Sequence, residues 1–519
     1  MPLTRVEPEN DEPDCDEGRV VMDTRSRADS HRNQAQGEEA GERAQGDESP
    51  PHNFSAPSGH APSSQASPGV GRGAHPAPHP VASLVRSLVA VLVGSLVLRL
   101  AAQTTGQMLQ FYFKEINESH YYLSYTATGF ITASFFIAEL LGAPVLGAMS
   151  DRYGRKPFII LGPLLGAIAV QITSMTVVVS LLVLTRLLEG LSTASSVPAT
   201  LGYISETTVG RPNLRARVIG LYEITLVGGL ALGATVGGYL WEWLGKVKPM
   251  TFAGLQLVSP AFCVNGMIYV VSLVIFVWGL KNIRRGSHQT PVTARGKLNH
   301  YREVFKSPAV WMFIPAWLSV FSIVGMWTNH SPRLMTSEQN YGNQLLTGIN
   351  TVKFGNSFAA LAVVFGMGIL GWSFILGRYR KTSVMLVATG GLFVTLAAVY
   401  GFNHVESFSS ALYYPLLASL LFGIIVLSGF TPAALTYLAD VTESYSEDRG
   451  SIMGLYSVFL GVGQLLGTAT GGYFADWDGT DGLLLLSAFF GLVTTLSLVL
   501  LRERTSPAPP LPQAPAQGK

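Results

Sequence analysis

The chain has 519 residues, 48% of them hydrophobic and 13% charged, with a mean hydropathy of +0.33. Soluble domains carry about 25% charged residues, so this composition excludes a string of soluble domains and points to an integral membrane protein. The net charge of +2 hides a split: residues 1–80 hold 14 acidic and 7 basic side chains, leaving 19 and 28 to the rest.

Residues 1–80 are rich in Glu, Asp, Ser, Pro, Gly and Gln and have too little apolar surface to offset the entropy of ordering. They are predicted to form a disordered acidic tail, with no apolar stretch near Met1 that would read as a cleavable signal. Cys15 lies in this tail and Cys263 in an apolar run, so a disulfide between them is not expected.

A bilayer core about 30 Å thick takes roughly 20 apolar residues in helical form. Twelve segments qualify, near 83–110, 122–149, 157–176, 178–206, 215–242, 259–281, 308–329, 346–376, 383–402, 410–439, 450–475 and 482–501. The span near 346–376 is long enough to include an interfacial part. The ten-residue alternation of membrane strands is absent. Lys and Arg collect in the even-numbered loops, 17 against 4 in the odd ones, with Lys114, Lys246, Lys248 and Arg333 as the four. Positive charge stays inside, so the even loops and both termini are expected to be cytoplasmic. Asn117-Glu118-Ser119 then falls in an outer loop and reads as a glycosylation acceptor in a eukaryotic host.

Two parts of the chain resemble each other. Residues 198–206, PATLGYISE, align with 432–440, PAALTYLAD, and residues 220–245 align with 454–479, both at an offset of 234. Matched glycines include Gly229/Gly463, Gly233/Gly467, Gly237/Gly471 and Gly238/Gly472. Six spans per half is even, so the halves are parallel repeats. The expected fold is all-α and integral to the membrane: twelve transmembrane helices as two pseudo-symmetric six-helix bundles. The division is a tail 1–80, a first bundle 81–281, a basic linker 282–307, a second bundle 308–502 and a Pro-rich tail 503–519. Small residues at four-residue spacing let a neighbouring backbone approach, either as plain packing or as a hinge.

Ionisable residues inside spans are costly and so are candidates for function. They are Arg99, Glu139, Arg186, Glu189 and Glu223, all in the first half; Lys353 and Asp440 in the second lie near interfaces. The run Gln103, Thr104, Thr105, Gln107 and Gln110 after Arg99 reads as a cavity or outer vestibule. A carboxyl in an apolar site holds its proton, and an approaching Arg drives the proton off. This would let the first half couple protons while the second shapes the pocket. The structural alternatives stay open: a static Arg186–Glu189 pair, a hydrogen-bonding role for Glu139 and a structural role for Glu223. Tyr222, Tyr456, Trp317 and Trp327 would stack on a solute or simply pack.

Between spans two and three, GAMSDRYGRKP brings Gly147, Asp151, Arg152, Gly154, Arg155 and Lys156 together within ten positions. Topology requires only the positive charges. Asp151 and the two glycines therefore point to a further role, with Asp151 placed to meet a helix N-terminus or an Arg across the halves.

These residues resemble the major facilitator superfamily, whose loop motif is G-x-x-x-D-R-x-G-R-[KR]. Leu182-x3-Arg186-x2-Glu189-Gly190 and Gly229-x3-Gly233-Ala234-x2-Gly237-Gly238 are similar to patterns of its drug/proton antiporter branch. Glu189 stands where that branch has Gln, and Ala234 where it has Pro. The resemblance spans about 83–501. It implies alternating access, a cytoplasmic latch in the 147–156 loop, proton transfer through Arg186, and action as a monomer. The sugar-porter and peptide-transporter signatures are absent, and so are a P-loop, H-E-x-x-H, paired C-x-x-C and G-x-S-x-G. No enzyme chemistry, nucleotide, metal, cofactor or nucleic acid is therefore expected. The partners are the bilayer, a small-molecule substrate and protons. The expected activity is proton-coupled export of small organic compounds, drug-like or metabolite, across the cell membrane or else a vacuolar or other endomembrane. Ala234 leaves open a facilitator or symporter importing a nutrient or organic anion. A receptor with the tail as its partner-binding part is a third reading.

Overall fold

The computed structural model describes residues 81–245, 250–252, 255–281, 308–338, 341–405, 411–441 and 449–505. The acidic tail with Cys15, Lys246, Lys248, the basic linker 282–307 and residues 506–519 lie outside them, as do the side chains of Tyr456 and Arg449. The helices are α1 Val81–Ser119, α2 Tyr125–Tyr153, α3 Arg155–Ser174, α4 Val179–Thr207, α5 Pro212–Leu240 and α6 Pro260–Gly279. They continue with α7 Pro308–Thr336, α8 Thr351–Ile375, α9 Lys381–His404, α10 Tyr413–Leu427, α11 Phe430–Val441 and α12 Arg449–Thr505.

Two of these assignments need reading. α10 and α11 lie in a single apolar stretch, Tyr413–Leu438. α12 is two helices, because the backbone breaks at Asp478 (φ −149°, ψ 35°) and Gly479 (φ 54°, ψ −127°). The second of these is a left-handed-side conformation that glycine adopts without a Cβ clash. The described helices thus make twelve crossings. Among the described residues, ten stretches are long and apolar enough by composition alone, and α4 is not among them. Arg186, Glu189 and its Ser and Thr residues dilute it, and it stays in the membrane by burying them against its neighbours.

Three boundaries differ from the sequence expectation. α1 runs on to Ser119, so Lys114 and Asn117 are helical, and the Asn117 Oδ1 accepts the Leu123 N–H at 2.8 Å. α7 runs to Thr336, so Arg333 is no loop charge but a buried residue of a helix. Between α5 and α6 a small antiparallel ribbon pairs β1 Met250–Phe252 with β2 Leu255–Leu257. Single-sequence hydropathy ends a span where polar residues begin, and here those residues are satisfied inside the protein.

α1 to α6 pack on one another around Tyr203, Phe262, Tyr269 and Phe276, and α7 to α12 around Trp317, Phe321, Phe430 and Leu498. The halves meet along α2 with α12, α5 with α8 and α1 with α7. Glycines set these distances. A Cβ at Gly229 would lie 2.5 Å from the Arg99 Cβ, at Gly233 2.6 Å from the Gln103 Cβ, and at Gly237 3.1 Å from the Gln107 Cβ. The α5 row is therefore seated on α1. The matching row of α12 is seated on α7: Gly463 against Phe321, Gly467 against Ser322, Gly471 against Met326 and His330. The next glycine in each row faces the other half, Gly238 against Thr351 of α8 and Gly472 against Thr126 of α2.

Gly467→Ala is expected to force α12 off α7, because a Cβ there would meet Ser322 backbone, 2.6 Å from its Cα. The cost should be about 1–3 kcal/mol, the usual penalty for overpacking. Thermal unfolding in detergent measures it, with Gly220→Ala as the neutral control, since a Cβ at Gly220 meets nothing within 4 Å.

Candidate functional site

Of the ionisable residues of the first half, Arg99 and Glu139 lie near the middle of their helices, and Arg186, Glu189 and Glu223 before the middle of theirs. α1 comes close to α5 at Arg99 because Gly229 has no side chain there. Tyr222 and Glu223 of α5 and Glu139 of α2 act electrostatically on the Arg99 guanidinium. One helix over, Arg186 donates to Glu189 within α4, and both are buried. Tyr269 of α6 lies near both groups, with Glu189, Arg186 and Arg99 acting on it. Arg99, Glu189, Ser192, Ser196 and Tyr269 share a cavity of about 20 Å³, room for a water molecule.

The charge count of this cluster defines its chemistry. Arg186 and Glu189 pair with each other, and Glu139 and Glu223 both act on Arg99, so the five groups carry one acid in excess. An excess carboxyl can hold a proton or face a cationic group, and a positively charged neighbour decides between them. The polar run after Arg99, expected to line a cavity or outer vestibule, packs along α1 against its neighbours. Thr104 Oγ1 donates to the Gly233 carbonyl at 3.2 Å, and Gln110 Nε2 to Thr132 Oγ1 at 3.2 Å. Gln103 sits against Gly233, and the Gln107 amide is buried with no hydrogen-bond partner among the described residues. Asn265 of α6, not singled out by sequence, donates to Thr105 Oγ1 at 2.8 Å and to the Ala101 carbonyl at 3.1 Å.

The loop motif forms a tight turn. Gly154, at φ 102°, ends α2 and begins α3 in a conformation other residues avoid. Arg155 pairs with Asp151, reaches Glu206 at the end of α4 at 3.0 Å and Ser150 Oγ at 2.9 Å. Lys156 donates to the Val277 and Leu280 carbonyls at the end of α6, at 3.1 and 2.6 Å, where a cation complements the helix dipole. Arg152 lies over the Tyr153 ring, and Gly147 is in ordinary contact with Pro198 of α4. The described contacts of Arg155 and Lys156 therefore join α2, α3, α4 and α6 of one half; the described ion pair of Asp151 is local, not across the halves.

At the opposite end the halves are tied directly. Asp476 of α12 accepts the Tyr125 and Thr126 N–H groups at 2.7 Å each and the Thr126 hydroxyl at 2.6 Å, capping α2. Arg333 of α7 donates to the carbonyls of Leu123 and Ser124 and to Thr128 Oγ1, and lies over the Tyr125 ring. Lys114 donates to the Thr336 carbonyl at 2.7 Å. Thr351 at the start of α8 donates to Glu242 at 3.1 Å, in the stretch after α5. Sequence reasoning missed this junction, although Glu242 and Asp476 occupy equivalent positions of the repeat, both acidic at the offset of 234. That coincidence was the available signal.

The family model of the Major Facilitator Superfamily matches residues 88–441 and 347–519. Multidrug resistance protein 1 of Bacillus subtilis (strain 168) is 24% identical over 369 residues, 70% of this chain and 84% of its own. Among solved structures, a bacterial homologue of the human lysosomal transporter Spinster, inward-facing and unoccupied, superposes with a TM-score of 0.61 at 16% identity, covering 82% of this chain and 96% of its own. The nucleoside transporter NupG also gives 0.61, at 13% identity, covering 80% and 99%. At these identities the structures speak for the fold alone.

Removing one partner of a buried ion pair strands the other charge. Arg186→Met should cost about 3–5 kcal/mol in detergent unfolding, and Arg186→Met with Glu189→Gln should recover most of it. Equal losses for the single and double variants would show that the pair is not held in a buried setting.

Proposed function

The chain belongs to the Major Facilitator Superfamily and is therefore a multi-pass membrane transporter, not an enzyme, and from that premise we propose that it is a proton-coupled exporter of small organic compounds. The observation that carries the reading is the gathering of three carboxyls and two arginines in the first half, where Arg99 and Glu189 line a cavity with room for water and Glu139 and Glu223 both act on Arg99. Glu139 and Glu223 take up a proton when the cavity opens to one side, and release it when Arg99 draws nearer after the halves rock to the other. A cationic or amphipathic solute competes for the same charge, so solute and proton move in opposite directions. The name of the Bacillus subtilis relative supports this branch.

Alternating access follows from the helix crossings. A Cβ at Gly472 would sit 2.9 Å from Thr126, whereas one at Gly461, three turns along α12, would be 3.9 Å from Leu140. On the other seam the clearance grows from 2.5 Å at Gly238 to 3.2 Å at Gly366. The halves are tight at the junction end and looser toward the basic turns. With the basic loops cytoplasmic, as the distribution of Lys and Arg supports, this is an inward-facing conformation of a monomer with both termini in the cytoplasm, in the cell membrane. The 147–156 turn then latches the cytoplasmic side in the outward-facing state, with Asp151 exchanging its local Arg155 for a partner across the halves. The glycine rows let each half move as a unit. The tail 1–80 and the linker 282–307 flank the first bundle in this division of the chain. A facilitator or symporter importing its solute is the second reading, favoured by Ala234 in place of the antiporter proline.

Inverted vesicles with an imposed pH gradient test the reading with a fluorescent amphipathic dye. Gradient-driven uptake is expected, falling at least about tenfold in Glu139→Gln and Glu223→Gln, a loss of about 1.4 kcal/mol or more of coupling. Uptake indifferent to the gradient overturns proton coupling, and uptake only in right-side-out vesicles selects the importer. Asp151→Asn should insert normally yet transport several-fold more slowly; normal transport returns the motif to a helix cap.

A further inference from the structure

The junction between the halves contains a titratable group that the export reading does not use. His330 lies on α7 about two turns before its end and is 1% exposed. Its Nε2 is 2.8 Å from the Thr468 carbonyl of α12. A carbonyl only accepts, so Nε2 carries the hydrogen, and Nδ1 is then a bare acceptor. Nδ1 is buried and has no hydrogen-bond partner among the described residues. Two glycines make room for the ring. A Cβ at Gly129 of α2 would be 3.3 Å from its Cε1, and one at Gly471 of α12 would be 3.0 Å from its Cδ2. The imidazole is therefore wedged where α2, α7 and α12 meet.

We propose that His330 is a proton-binding site, loaded from the junction end, whose occupancy releases the seal that Asp476 and Arg333 make with the start of α2. The charged groups that act on the ring are Arg333 on its own helix and Asp476 on α12; Tyr125 on α2 and Tyr341 after α7 interact with those two, and Lys114 of α1 bonds the end of α7 at Thr336. Asp476 is the acid that acts on the ring, and its oxygens are already taken by Tyr125 and Thr126. A second proton on the imidazole would thus create a cation beside Arg333 and an unpartnered Nδ1–H inside a closed junction, and both are costly when buried. Parting α2 from α12 hydrates both. Proton binding and opening are then reciprocal: the open state takes the proton from water at that face, and closing returns it. The sign follows: lowering the pH at the junction end opens it, and raising the pH closes it.

This rests on the reading that the halves part alternately, but it needs neither a solute nor the carboxylates of the first-half cluster. The test uses the full chain with Cys15→Ser and Cys263→Ser, in lipid nanodiscs. Spin labels are placed at Tyr122→Cys and Trp477→Cys, both exposed and one on each half. Pulsed electron resonance measures their separation at about pH 8 and about pH 5.5, on either side of the ordinary histidine range. The expected result is a short separation at the higher pH and a longer population at the lower. His330→Gln, which keeps a donor for Thr468, stays short at both; Asp476→Asn is long at both. His330→Asn serves the same purpose if the glutamine variant does not fold. An unchanged pH response without the histidine, no response in the parent, or a short separation in Asp476→Asn each overturns the proposal. Failure of dye export in vesicles, with this response intact, would count against proton-driven export and not against the histidine site.

Discussion

Lipid is as apolar as the side chains it surrounds, so the hydrophobic effect that drives helices together in water is spent once they enter the bilayer. What remains is close approach of backbones, dispersion across the seam and polar groups that meet inside the protein. The glycine rows of α5 and α12 answer this constraint, and everything else in the structure depends on them. They seat α5 on α1 and α12 on α7, bring the main chain at Arg99 close to α5, and hold the halves together at Gly238 and Gly472. A single methyl at Gly467 would meet the Ser322 backbone, so these positions tolerate no side chain in the packing observed.

The same constraint explains what was legible in the sequence. Twelve apolar segments and the repeat at offset 234 require only composition and register, and both are visible without coordinates. The ends of the spans were not. Arg333 and Lys114 look like loop charges because nothing in a one-dimensional pattern shows that Leu123, Ser124 and Thr336 will supply carbonyls for them. The residues of the first-half cluster were found because charges in apolar runs stand out. Their arrangement, with Glu139 and Glu223 acting on Arg99 and Glu189 closed on Arg186, depends on helix rotation. The polar run of α1 looked like a vestibule for the same reason: its period is visible, but which face it turns to α5 and α6 is not.

Electrostatics divides between the two ends of the protein. At the basic turns, the described contacts of Arg155 and Lys156 are with carboxylates and helix-end carbonyls of their own half, which stiffens that half. At the other end Asp476, Arg333 and Lys114 cross between halves, each to main-chain groups. Main-chain partners have fixed positions, so these bonds tolerate little displacement. Salt bridges between flexible side chains would stretch and follow.

Placing the tight contacts at one end also has a mechanical consequence. A helix of 29 residues, such as α2, is about 43 Å long. If a half pivots where Gly472 meets Thr126, a tilt of about 5° moves the far end of α2 by roughly 4 Å. The pivot itself scarcely moves, and the first-half cluster, midway along the lever, moves by half as much. Displacement is thus geared: the largest stroke falls at the charged turns, an intermediate one at the ionisable residues, and the smallest where backbone touches backbone.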